Sequence, residues 1–289
     1  MSWPNIFLLF IAIVVTISIL VYFFQERFLF HPEKLSEDFV FQYENQEVEE
    51  YNVQLSDKVL INGLHFKTKN PKGVVFYLKG NSRSIKGWGK FAVDFTFHSW
   101  DVIMMDYRGF GKSTGKRTQQ TMKDDVQAIY NKIKENVDEK YIIVYGRSLG
   151  TGLATKIAST NNPRMLILAC PYYSMSKNVK RYLPFIPLGL VMRYSMPTYK
   201  WIKYVKCPIK IIHGTNDKVI PMKSSFKLSK INPKLTRVYP IIDGGHKNLH
   251  NYESYHRALK EILNSKELKE IDKEHTSIGF IRKKRKKSN

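Results

Sequence analysis

Residues 141–159 read YIIVYGRSLGTGLATKIAS. The opening run, Tyr141-Ile142-Ile143-Val144-Tyr145, is apolar or aromatic without polar alternation, the mark of a strand buried on both faces. Gly146-Arg147-Ser148-Leu149-Gly150 follows at once, and the residues from Ser148 to about Ser159 have helical spacing. A strand that passes into a helix through so short a turn lifts the central serine clear of the backbone. Glycines on either side remove the Cβ atoms that such a turn would crowd. Ser148 is therefore a candidate nucleophile, and a serine that only caps the helix is the other reading.

Outward from this unit, apolar runs at 74–79 (VVFYLK), 102–105, 165–169, 209–212 and 238–242 predict further strands. Residues 88–98, 118–136 and 250–263 have helical patterns, and 48–55 with 59–67 reads as an antiparallel pair turning at Ser56-Asp57. Short apolar strands alternating with helices imply βαβ units, hence an α/β fold with a mostly parallel sheet and helices on both faces. Residues 171–205 break the alternation with Tyr172, Tyr173, Tyr182, Phe185, Tyr194 and Trp201 among lysines and arginines. A cap-like insertion of that size covers a site or packs on its rim. The expected organisation is an apolar segment 1–24, a connecting segment 25–46, an α/β domain 47–265 carrying the insertion 171–205, and a basic tail 266–289.

With 289 residues, 43% of them hydrophobic and 13% aromatic, the chain can build a large core. Cys170 and Cys207 make no disulfide framework, and no Cys/His cluster has zinc-ligand spacing, so no metal is expected. A net charge of +22 points to an anionic partner, a bilayer surface or a nucleic acid. The sequence holds no nucleic-acid-binding motif, which favours the bilayer. Residues 3–24, WPNIFLLFIAIVVTISILVYFF, contain no charged side chain. Roughly 20 such residues, at about 1.5 Å each, cross a hydrocarbon core of about 30 Å. Trp3 at one end and Tyr22, Phe23 and Phe24 at the other suit an aromatic belt. The basic n-region, short apolar stretch and small-residue cleavage site of a signal peptide are missing, so the segment reads as a single-pass anchor. No Lys or Arg precedes it while Arg27 and Lys34 follow, which places the soluble domain in the cytoplasm by the positive-inside rule. The run Arg282-Lys283-Lys284-Arg285-Lys286-Lys287 would add attraction to anionic lipid, or else is a solvated terminus.

A serine hydroxyl needs a base to take its proton, and the base needs an anion to hold its tautomer. His213-Gly214-Thr215-Asn216-Asp217 puts Asp217 in the loop after one buried strand, and Gly244-Gly245-His246 puts His246 after the last. Both fall at the carboxyl edge of the sheet with Ser148, in the order nucleophile, acid, base. Asp243 reads as a turn residue, His213 as a packed strand-end residue, His250 as surface or rim, and Asp106 as a brace for the turn in Asp106-Tyr107-Arg108-Gly109. An oxyanion hole needs two backbone N–H donors. Leu149, after the nucleophile, and Asn81, after Gly80, are the candidates.

Together these residues resemble the α/β-hydrolase superfamily, most closely a membrane-anchored serine-hydrolase branch that includes depalmitoylating thioesterases and lysophospholipase-like enzymes. The resemblance runs from Gln25 to about Leu263 and rests on residues 25–35 (QERFLFHPEKL), Gly80-Asn81, residues 106–113 (DYRGFGKS), Gly146–Gly150, His213–Asp217 and Gly244–His246. It implies an eight-stranded sheet, a Ser148–His246–Asp217 triad, and neither metal nor organic cofactor. The substrate it implies is an acyl ester or thioester. One departure stands out: Lys79-Gly80-Asn81 occupies the place where the family writes His-Gly-Asn. Lys79 on the substrate side would favour an anionic substrate such as a lysophospholipid; alternatively it pairs with a nearby carboxylate. An amidase or aminopeptidase on the same fold, and a non-catalytic membrane scaffold, are the competing functional classes.

Overall fold

The structure, a computed structural model, describes residues 2–265 and Leu268. The chain opens with helix α1 (Trp3–Leu29), followed by four short strands, β1 (Glu47–Glu50), β2 (Val53–Ser56), β3 (Val59–Ile61) and β4 (Gly63–Lys67). Next come β5 (Val74–Leu78), α2 (Ile85–Trp88), α3 (Val93–Thr96), β6 (Asp101–Met105), α4 (Gln119–Lys134), β7 (Ile142–Arg147) and α5 (Leu149–Thr160). β8 (Met165–Ala169) leads into three short helices, α6 (Met175–Val179), α7 (Leu188–Val191) and α8 (Thr198–Trp201). β9 (Ile209–Gly214), α9 (Lys223–Ser229), β10 (Thr236–Ile241) and α10 (Glu253–Leu263) complete the order.

Eight strands form one sheet in the order β1-β4-β6-β5-β7-β8-β9-β10, parallel from β6 to β10 and antiparallel where β4 meets β1 and β6. The expected α/β-hydrolase sheet is thus present. In β5 every residue is buried, as the unalternating VVFYLK run requires. Val74, Phe76 and Leu78 face α4 and α5, whereas Val75 and Tyr77 face α3 and α10. A core on both faces makes the sheet rigid, and each large side chain so buried contributes about 1.5–3 kcal/mol.

Several boundaries differ from the sequence reading. The strand expected at 48–55 is two strands: β1 joins the main sheet through β4, and β2 pairs with β3 in a separate ribbon. The helix expected at 88–98 is broken into α2, a 3₁₀ turn at Gly89–Ala92 and α3. Gly89 sits there against the Tyr43 ring, where a Cβ would collide. α1 runs five residues past the expected end at 24, because Gln25 is buried and held by Val191 O (3.1 Å) and Arg193 N (2.8 Å). At 27 residues α1 is long and apolar enough to cross a membrane. The basic tail lies outside the described residues.

Candidate active site

The loops that follow β5, β7, β9 and β10 carry Asn81, Ser148, Asp217 and His246, and all open on the carboxyl edge of the sheet. Ser148 sits at φ 51°, ψ −116°, a conformation that favours glycine and that the packed strand and helix on either side impose. The flanking glycines make it possible. A Cβ on Gly146 would stand 2.6 Å from Gly150 O, and one on Gly150 would collide with Leu78 O.

Ser148 Oγ lies 2.9 Å from His246 Nε2, and His246 Nδ1 lies 2.7 Å from Asp217 Oδ2. A carboxylate only accepts, so Nδ1–H donates to it and the Nε2 lone pair is left to take the serine proton. The other carboxylate oxygen accepts Val219 N–H at 2.9 Å and Ile220 N–H at 2.8 Å. Burial pushes the Asp217 carboxyl up, but hydrogen bonds from His213 and His246 outweigh it and hold it well below the usual carboxylate range. It is therefore an anion at neutral pH.

His213 does more than fill the strand end. Its Nε2–H points at Asp217 Oδ2 (3.2 Å) and Ile220 O (2.8 Å), while Nδ1 accepts from Ser225 Oγ at 2.6 Å. The sequence showed no sign of this link, because Ser225 comes from α9 and meets His213 only in the folded chain. Arg147 was missed too. It is buried beside the Phe91 ring (4.9 Å) and donates to Lys247 O at 3.2 Å, next to His246. Asp243 takes φ 58° in the turn before His246, and His250 is half-buried against the Phe91 ring. Cys170, Asp217 and His246 offer donor atoms within 4.8 Å of one another. A metal ion there would compete with the Asp217–His246 hydrogen bond, and burial with the nearby carboxylate raises the Cys170 thiol pKa, which opposes a thiolate ligand.

Gly80 lies against the elbow: a Cβ on it would stand 3.8 Å from Ser148 Cβ and 2.8 Å from the Trp88 ring. The N–H groups of Asn81 and Leu149 flank that approach, and neither has a hydrogen-bond partner among the described residues. The Asn81 side chain and carbonyl are both occupied, with Nδ2 donating to Leu29 O at 2.7 Å and O accepting His31 N–H at 2.9 Å. Tyr172 OH donates to Leu149 O at 3.0 Å and steadies the other side.

Lys79 does not face substrate, and that expectation is corrected. Its side chain is fully buried, with Nζ 3.3 Å from Asp106 Oδ1, 3.0 Å from Arg83 O and 3.8 Å from the Phe110 ring centroid. The β5 strand is buried on both faces, so a side chain at its end has only the interior to enter, and there the Asp106 carboxylate compensates its charge. Burial lowers the Lys79 pKa to about 8 against the pull of Asp106, and burial raises Asp106 to about 6 against the pull of Lys79. Asp106 also accepts Ile85 N–H at 3.0 Å, bracing the turn after Gly80-Asn81.

Residues 69–201 match the family model described as serine aminopeptidase, S33. An esterase of Pyrococcus furiosus superposes with a TM-score of 0.64 at 20% identity, over 81% of this chain and 97% of that one. The chain has the α/β-hydrolase fold. Among curated relatives, the chain is 28% identical over 244 residues to an uncharacterized protein, R595, of Acanthamoeba polyphaga mimivirus, covering 76% of this chain and 83% of the relative. It is also 28% identical over 188 residues to the lysophosphatidylserine lipase ABHD12 of Danio rerio, covering 56% of this chain and 47% of the lipase. The chain thus spans about half the length of the lysophosphatidylserine lipases it matches.

Proposed function

We propose that this protein is a membrane-anchored serine hydrolase that cleaves the carboxylic ester or thioester of an acyl lipid, with lysophospholipids as the leading substrate class. The observation that carries the reading is the unbroken relay from Ser148 Oγ through His246 to an Asp217 held as an anion. His246 Nε2 takes the serine proton as Oγ attacks the acyl carbonyl, and the N–H groups of Leu149 and Asn81 receive the oxyanion. Asp217 stabilises the imidazolium, which then protonates the leaving alcohol or thiol. Water, activated by the same imidazole, releases the acid and restores the serine.

The lipid assignment is supported by α1, which keeps the domain at a bilayer, and by the likeness to lysophosphatidylserine lipases. The domain 47–265 faces the cytoplasm in this reading, on the strength of Arg27 and Lys34, and the insertion 171–205 serves as a cap. An aminopeptidase would need a free carboxylate to bind the substrate amine. The acids nearest the oxyanion turn are already engaged, Glu33 by Ser84 at 2.8 Å and Asp106 by Lys79 at 3.3 Å.

A fluorophosphonate probe should label the wild-type protein and leave Ser148→Ala unlabelled. Equal labelling of both, or none of either, would overturn the nucleophile. Reconstituted protein should then release fatty acid from lysophosphatidylserine faster than it releases amine from aminoacyl anilides, and the reverse order would favour the peptidase.

A further inference from the structure

The insertion between β8 and β9 has an unusual middle. Residues 182–192 read YLPFIPLGLVM, without a charge, between Lys180-Arg181 on one side and Arg193 on the other. Tyr182, Phe185 and Leu190 are exposed, Leu190 to 86%. Soluble proteins rarely present three large apolar side chains in so short a stretch without a partner.

The segment's other face packs on α1. Ile186, Leu188 and Met192 form a separate apolar cluster with Val14, Ile17 and Val21, and Phe185 meets Phe10 edge-on at 5.9 Å. At the opposite end Gln25 grips Val191 O and Arg193 N, and Arg193 pairs with Glu26 at 3.1 Å. Phe10 precedes Gln25 by 15 residues, so the segment runs along α1 for about 22 Å at the helical rise. If α1 crosses the bilayer, a loop lying against it at that level is in the bilayer as well.

The backbone is made for such a place. In hydrocarbon every N–H must find a partner within the protein. The N–H groups of Tyr182, Leu183, Ile186, Leu188, Leu190, Val191 and Met192 are all bonded to carbonyls of the insertion, and Pro184 and Pro187 have none to satisfy. Only Phe185 and Gly189 remain of the eleven residues 182–192.

We infer that residues 182–192 form a wedge inserted beside α1 into the acyl region of a phospholipid bilayer, so that the hydrolase holds the membrane at two points. The inference rests on the reading of α1 as a bilayer span. Lys180, Arg181 and Arg193 mark the level of the head groups, where cationic side chains meet anionic lipid. Through Tyr172 the same insertion reaches Leu149 O, so the element that enters the bilayer also borders the oxyanion residue.

The test uses the full chain in phosphatidylcholine–phosphatidylserine vesicles. Cys170 and Cys207 are buried, so single cysteines introduced by Leu190→Cys, Ile13→Cys or Phe97→Cys can each carry an environment-sensitive fluorophore. All three native side chains are exposed, at 86%, 48% and 82%. Lipids bearing a nitroxide on the acyl chain should quench the labels at 190 and 13, and aqueous iodide should quench only the label at 97. Quenching of 13 by lipid with 190 open to iodide would overturn the wedge and leave the anchor standing. Iodide quenching of both would remove the anchor and the wedge together.

Discussion

The buried Lys79–Asp106 pair beside the Gly80-Asn81 turn makes a prediction that can be worked through in pH. Asp106 carries a pKa of about 6 in the folded protein, against about 3.9 in an unfolded chain. Between those values the folded state holds a proton that the unfolded state has released, so stability falls as pH rises to about 6 and then levels off. Lys79, at about 8 when folded and about 10.4 when unfolded, acts in the opposite sense. Above pH 8 the unfolded chain binds the extra proton, and stability rises again. The wild-type protein should therefore show a shallow trough of stability between about pH 6 and 8, where both charges are buried together.

Lys79→Met keeps the volume of the side chain and removes the cation. Asp106 then has no charge partner, its pKa climbs further, and the folded state keeps its proton through neutrality. Each pH unit of continued proton retention costs about 1.4 kcal/mol. The variant should match the wild type near pH 5 and fall behind by roughly 3 kcal/mol at pH 8, in line with the about 3–5 kcal/mol cost of breaking a buried ion pair. Guanidinium melts of detergent-solubilised full chain at a series of pH values measure the gap. In Lys79→Met combined with Asp106→Asn the dependence should disappear. Parallel profiles for wild type and Lys79→Met across pH 6–8 would refute the pairing.

Two further perturbations test the site directly. His213→Leu removes one hydrogen bond to the Asp217 carboxylate, worth about 1.5 kcal/mol, so kcat should fall about tenfold with KM unchanged. A fall in KM-linked binding alone would deny His213 its role in holding the acid. Gly80→Ala puts a methyl 2.8 Å from the Trp88 ring beside the elbow, and should lower kcat by tenfold or more for every substrate. Unchanged turnover would show that the turn does not border the reacting carbonyl.

The elements most legible in the sequence were those dictated by local constraints. An unalternating run such as 142–145 can be satisfied only by a doubly covered strand, and Gly146 and Gly150 are needed by the turn whatever surrounds it. The positions of Asp217 and His246 followed from chain order along the sheet edge. What stayed hidden depended on partners that meet only after folding. The orientation of Lys79 is decided by Asp106, which arrives from the end of β6, and the role of His213 by Ser225 on α9. Local pattern likewise stops α1 at Phe24, where its apolar stretch ends. The helix continues because Gln25 finds Val191 and Arg193, residues far along the chain.

That last contact belongs to a larger linkage between α1 and the candidate site. α1 ends at Leu29, whose carbonyl accepts the Asn81 side chain, and two residues later His31 N–H donates to Asn81 O while His31 O accepts Arg83 N–H. Glu33 then takes both the Ser84 hydroxyl and its N–H. The segment leaving α1 is therefore laid like an extra strand along the Gly80-Asn81 turn. Two hydrogen bonds hold the Asn81 carbonyl and side chain, while its N–H has no partner among the described residues. An anchor joined by a flexible tether would raise the local concentration of lipid substrate and do nothing else. In the proposed function α1 is joined by a hydrogen-bonded strap to one of the two proposed oxyanion donors, so the position of the bilayer and the geometry of that turn would be set by the same residues.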